Sequence, residues 1–193
     1  MTTAQAATSP TVELLSFVSK GSGTAASEAL RRYLRQASVQ DDRVGTLPVL
    51  YRIAHDLSCV AEGTPSREAA LAVCRRMIAI DPENVPAYGL AAQTLGLLRR
   101  HEEACAYTAE IVRREPTNPR AHSTHALMLE SGGRPAEAKQ ELYKAAQLFM
   151  DNEMPADALQ AISLLDELCP DDKATQELRR AARAMQQRTK RAR

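Results

Sequence analysis

Two equal intervals fix what this chain can fold into. Ala70, Ala104 and Ala138 are evenly spaced and open the same phrase three times, as "ALAVCRRMIAIDPE", "ACAYTAEIVRREPT" and "AKQELYKAAQLFMD". Each phrase places apolar or small residues at i, i+4 and i+7: Ala70, Cys74 and Met77; Ala104, Thr108 and Ile111; Ala138, Leu142 and Ala145. At 3.6 residues per turn that spacing is one stripe of a helix. The stretch Val85 to Asn152 reads as two consecutive copies of a unit that holds a first helix, a turn and this second helix. A lone hairpin cannot bury its apolar face, so such units fold by stacking.

These positions and their interval resemble the tetratricopeptide repeat over about half of the chain. The small residue early in the second helix is Ala in all three units, and the closing proline appears as Pro82 and Pro116 but is Met150 in the third. The first helices supply Ala54, Ser58 and Ala61, then Tyr88, Ala92 and Leu95, then His122, Ala126 and Leu129, where the family places a large, a small and a large residue. The family's usual Trp and Gly in that helix are missing. The resemblance implies an all-α, right-handed α-solenoid of helical hairpins with a capping C-terminal helix. It also implies protein binding, not catalysis.

Composition agrees with the fold class. The chain is rich in Ala, Leu, Arg and Glu and has no Trp, five Tyr and two Phe, which suits close helix packing better than a sheet. Net charge is +1, yet residues 178–193 hold seven Arg and Lys and no acid, so the other residues together carry −6. Cys59, Cys74, Cys105 and Cys169 form no C-x-x-C pair, which excludes a zinc knuckle and a redox motif and points to a reducing compartment. The opening "MTTAQAATSP" has no basic, apolar signal character, and no run approaches the length of apolar chain that spans a bilayer. The expected location is the cytoplasm.

Along the chain, residues 1–8 are expected to be disordered and residues 9–45 to form leading helices, a degenerate hairpin that either folds onto the stack or pairs with another copy. Repeats are expected over 46–172, at about 51–84, 85–118 and 119–152 with a partial unit to 172. Residues 173–193 form the capping helix and basic tail. Prolines mark helix starts because a fixed φ and a missing N–H suit only the first turn. On that rule Pro48, Pro65, Pro86, Pro119, Pro135 and Pro155 each open a helix. The register breaks after Asn152: "ALQAISLLDELCPDD" begins at Ala158, much closer to Ala138 than one full repeat. The helix from Ala136 to Met150 is therefore expected to pack both backward and forward through Leu142, Ala145, Ala146 and Phe149. The last helix should run from Lys173 to about Gln187, with the final half dozen residues fraying.

No catalytic, metal or cofactor constellation can be assembled. His122 and His125 stand at i, i+3, but both fall in slots that the repeat buries, and no carboxylate or Cys is near them in sequence. His55 and His101 are isolated. "SKGSGT" lacks the lysine after its last Gly that a phosphate loop needs, and it follows a helix. The expectation is a non-enzyme without cofactor.

The inner surface of the stack should be lined by side chains that the first helices do not bury, namely Arg52, His55, Cys59, Gln93, Leu97, Ser123, Leu127, Glu130, Tyr143 and Gln147. Leu97, Leu127 and Tyr143 would anchor a partner peptide or helix, and Gln93 and Gln147 would bond its backbone. The family's carboxylate clamp for chaperone tails falls on His55, Cys59, Leu90, Arg120 and Thr124, of which Arg120 alone has the right character, so that partner is rejected. The leading expectation is an adaptor or scaffold for a protein partner of unknown identity. A type III secretion chaperone for translocator proteins is the alternative, since "PRAHSTHALMLESGGRPAEAKQELYKAAQLF" is similar in pattern to the last repeat of that class. A third reading is anion or nucleic-acid binding through the basic tail Arg179, Arg180, Arg183, Arg188, Lys190, Arg191 and Arg193. The simpler account of that tail is a solvated last helix, because no aromatic is interleaved to stack on bases.

Overall fold

The computed structural model describes residues 43–59, 63–170 and 172–191. The expectations for residues 1–8 and for the leading helices before Arg43, together with Ala61 and Arg193, lie outside the described residues. The described residues form eight α-helices and no strand. They divide into two compact units, Met1–Arg100 and His101–Arg193.

The first unit contains α1 (Arg43–Cys59), α2 (Thr64–Ile80) and α3 (Val85–Leu97). Leu50, Ile53, Ala54 and Leu57 of α1, Ala70, Leu71, Cys74 and Met77 of α2, and Ala91, Ala92 and Leu95 of α3 are buried. The Ser58 hydroxyl lies 3.0 Å from that of Thr94, which in turn donates to the Leu90 carbonyl at 2.7 Å. Each hydroxyl enters the core with a partner, as a buried polar group must. Burial pushes the Cys74 thiol up to about 12, so it behaves as a small apolar filler. Pro48 departs from the rule that prolines open helices. It lies inside α1, beyond the first turn that begins at Arg43. The ring removes one backbone bond there, and the buried Leu47, Leu50, Ile53 and Leu57 stripe holds the helix across the gap.

The second unit contains α4 (His101–Arg114), α5 (Pro119–Ser131), α6 (Pro135–Asp151), α7 (Pro155–Leu168) and α8 (Lys173–Arg191). Successive helices pack on one another, and α6 is covered by α5 on one side and by α7 on the other. Leu142, Ala145, Ala146 and Phe149 join Leu129 of α5 and Ile162 and Leu165 of α7 in one core cluster. The terminal helix continues to Arg191, past the fraying expected after Gln187. Its last turn is rich in Arg and Lys, which suit a helix C-terminus, and Thr189 bonds the Met185 carbonyl at 3.0 Å.

The repeat period is visible in the loops as well as the cores. Asn84 caps α3 by accepting from the Ala87 N–H at 3.1 Å, and Asn118 caps α5 by accepting from the Arg120 N–H at 3.0 Å. The backbone turns Asp81–Asn84 and Glu115–Asn118 close with bonds of 3.1 and 3.0 Å. After α3 the chain turns through Arg99 at φ 62°, and after α5 through Gly133 at φ 75°. The following N–H groups, on Arg100 and Arg134, reach back to Leu95 and Leu129 at 2.9 Å in both cases.

Candidate partner-binding surfaces

A helix in these hairpins has one stripe in the core and a second that faces either solvent or the next helix. In the second unit the second stripes of α5 and α7 face each other across a cleft of 340 Å³. Arg120, Ser123, Thr124 and Leu127 come from α5, and Asp157, Gln160, Ala161 and Leu164 come from α7. Phe149 of α6 is the buried ring beneath them. Leu127 remains 39% exposed, one of the few large apolar side chains in the described residues left so open. The cleft thus has an apolar middle and a polar rim, with the cation Arg120 and the carboxylate Asp157 both on that rim.

Of the ten groove residues expected from the sequence, five lie in the second unit, and those five are divided between different surfaces. Ser123 and Leu127 line the α5/α7 cleft, and Glu130 is exposed near the end of α5 outside it. Tyr143 and Gln147 line a different cleft, of 410 Å³, between α6 and α8 with Ala174, Glu177, Leu178 and Ala181. The reason lies in α6, which is packed on two sides through Leu142, Ala145, Ala146 and Phe149, so its Tyr143 and Gln147 stripe meets α8. The other five belong to the first unit: Arg52, His55 and Cys59 are exposed on α1, and Gln93 and Leu97 on α3. Gln93 Nε2 donates to Cys59 Sγ at 3.8 Å, and Leu97 is 42% exposed. The sequence reading missed Asp157, Gln160 and Leu164. Their i, i+3, i+7 spacing was available once Ala158 was aligned with Ala138, because the shortened step gives α7 an exposed stripe of its own.

Tyr143 is not a free anchor. Its hydroxyl donates to Asp172 and lies 2.7 Å from Thr175 Oγ1. Asp172 also accepts from the Thr175 backbone N–H at 3.0 Å and from its hydroxyl at 2.9 Å, and Lys139 Nζ stands 3.4 Å away. Asp172 is therefore the cap of α8 and its tie to α6. The bond from Tyr143, then those from Thr175, hold its carboxyl well below the usual carboxylate range. Burial, then the bond to Asp172, pushes the Tyr143 phenol up.

The paired histidines are held in the framework. His122 is fully buried, with Nδ1 2.6 Å from Glu141 Oε2 and Nε2 3.0 Å from the Pro116 carbonyl. It ties α5 to α6 and to the loop after α4. His125 Nδ1 lies 2.8 Å from Thr108 Oγ1 of α4, and burial pushes this imidazole's pKa down. Glu141 is far from His122 in sequence, so only the hairpin brings the two together. Among the described residues no group of three or more His, Cys, Asp or Glu is placed to hold a metal.

The repeat geometry agrees with a comparison of sequence. A profile of the tetratricopeptide repeat matches residues 66–128. This stretch is a tetratricopeptide-repeat array. A comparison with curated proteins finds no match. Solved structures share the fold. MamA 41-end from Desulfovibrio magneticus RS-1 aligns at TM-score 0.58 and 16% identity over 94% of this chain and 98% of that one. A crystal structure of MamA aligns at TM-score 0.61 and 13% identity over 91% and 95%. The Yersinia enterocolitica type III secretion translocator chaperone SycD aligns at TM-score 0.55 and 20% identity over 64% of this chain and 91% of its own. At these identities the likeness is one of fold. Within the repeats, every residue of the three second-helix trios is buried, and so are the first-helix slots Ala54, Ser58, Tyr88, Ala92, Leu95, His122, Ala126 and Leu129. No helix of the described residues is long and apolar enough to cross a membrane.

Proposed function

We propose that the chain is a non-enzymatic protein-interaction module, an adaptor of the cytoplasm, whose α5/α7 cleft receives a bulky apolar side chain from a partner segment. One observation carries the reading: Leu127 stands exposed beside a cleft with an apolar interior, while the other large apolar side chains among the described residues of this unit are buried or partly buried. A well-packed apolar anchor inside a polar rim is the usual energetic centre of a protein interface. The rim fixes direction. Arg120 favours a carboxylate on the partner, and Asp157 favours a cation. His122 is fully buried, and His122 and His125 are bonded to Glu141, the Pro116 carbonyl and Thr108, so this pair serves the framework. A chaperone for a translocator protein is the second reading, supported by the fold shared with SycD and tested by co-expression with a hydrophobic client.

The deciding experiment is quantitative affinity capture with the full chain in three forms: unsubstituted, Leu127→Asp, and Lys144→Asp as an exposed control outside the cleft. A cleft partner is recovered about tenfold less with Leu127→Asp, a loss of about 1.4 kcal/mol. It is recovered equally with the control, and the melting curves of all three agree. If every captured protein is indifferent to Leu127, the cleft is not the binding surface.

A further inference from the structure

The C-terminal helix α8 carries a second surface, independent of the cleft. Its inward side is given to the protein through Thr175 and Ala182, which are buried, and Leu178, which packs on the core cluster. Arg179 is neutralised by Asp166 of α7. Lys190 shares a small cleft with Glu153 and Asp157. The remaining cations Lys173, Arg180, Arg183, Arg188 and Arg191 are exposed, and none is in an ion pair among the described residues. Glu177 is the one acid on the helix.

These five have an order. At roughly 100° per residue, Arg180, Ala184, Gln187 and Arg191 share one outer stripe, with Arg183 displaced to one side of it and Arg188 to the other. The row from Lys173 to Arg191 is about 27 Å long at 1.5 Å per residue. A bilayer surface would be gripped by an exposed apolar stripe, but the apolar side of α8 already faces the protein. Single-stranded nucleic acid would need aromatic platforms, and α8 has none. A rigid helix with cations along its crest and on both flanks fits between two rows of phosphates. The major groove of a B-form duplex, about 12 Å wide, admits such a helix with a phosphate wall on each side.

We infer that the outer face of α8 binds double-stranded DNA through its phosphate backbone, without reading its sequence. Fluorescence anisotropy with a labelled random-sequence 20-base-pair duplex and the full chain tests this. Neutralising five phosphates gives a slope of log K against log salt of about −4.5. The variant Arg180→Gln/Arg183→Gln/Arg188→Gln should lose at least about tenfold in affinity at 50 mM salt and flatten the slope by about 2.7, with the helical melt unchanged because all three side chains are exposed. A single strand of the same composition and vesicles containing about one-third anionic lipid are the comparison probes, and both should bind more weakly than the duplex. No duplex binding at 50 mM salt, an unchanged slope in the variant, or equal or tighter binding to vesicles would each overturn the assignment. Leu127→Asp leaves duplex binding intact, since Leu127 lies in the α5/α7 cleft and α8 does not line it. The two functional readings therefore fail separately.

Discussion

At the scale of single residues, the fold depends on polar side chains that reach partners far away in sequence. Asp172 is the clearest case. It ends one loop, caps α8 and receives the Tyr143 hydroxyl from a helix well before it in the chain. Nothing in the local sequence announces that pairing, and Tyr143 read as an exposed anchor because its helix appeared to have one free side. The carboxyl of Asp172 lies below its ordinary value of 3.8 in the folded chain. A depressed folded value means that the ionised form stabilises the fold above the ordinary carboxylate range and that this contribution is lost as pH falls through the folded value. In urea unfolding followed from pH 7 to pH 2.5, the gap between the natural chain and Asp172→Asn should be full above about pH 4.5 and should narrow steadily below it. A gap that is constant with pH would show that the ionised carboxylate is not what holds α8 to α6. His122 makes the same point without a titration. The repeat pattern marks its slot as buried, and the hairpin supplies Glu141 and the Pro116 carbonyl to both ring nitrogens.

At the scale of elements, what the sequence made legible follows from backbone physics. Pro65, Pro86, Pro119, Pro135 and Pro155 each stand in the first two positions of a helix, as a residue without an N–H should. Pro48 does not, because helix boundaries also answer to packing, and the Leu47 to Leu57 stripe extends α1 through it. The turn after each first helix shows how one backbone shape is written with different residues. The left-handed position is Gly133 in the third repeat and Arg99 at the matching place in the second repeat. A side chain in that region is strained against its own carbonyl, whereas Gly adopts it freely. Arg99 is exposed, so Arg99→Gly removes strain and discards no packing. The gain should be about 0.5–1 kcal/mol after the added freedom of the unfolded chain is subtracted, seen as a higher urea midpoint at unchanged m. A lower midpoint would mean that Arg99 makes a contribution the turn geometry does not show.

At the scale of the whole molecule, the same arithmetic that exposed the repeat also hid the cleft proposed as the binding surface. Three alanines at equal spacing were enough to place α2, α4 and α6, because close helix packing admits small residues at fixed points and little else. The cleft depended on α7, whose phrase arrives before a full repeat has passed, and on α8 lying beside Tyr143 and Gln147. A stack of this kind must end in an element with one apolar side and one polar side. Helix α8 has that form, with Leu178 and Ala182 joined to the core cluster and its exposed cations turned outward. Ending the chain after Leu168 uncovers the core cluster on the α7 side. Burial of Ala182 and partial burial of Leu178 alone are worth about 1–3 kcal/mol, so the shortened chain should melt below the natural one and bind a dye that reports exposed apolar surface. An unchanged melt with no dye binding would mean that α7 ends the stack unaided. In that case the apolar side of α8 would be incidental to stability, and its cationic side would be left as the reason for the helix.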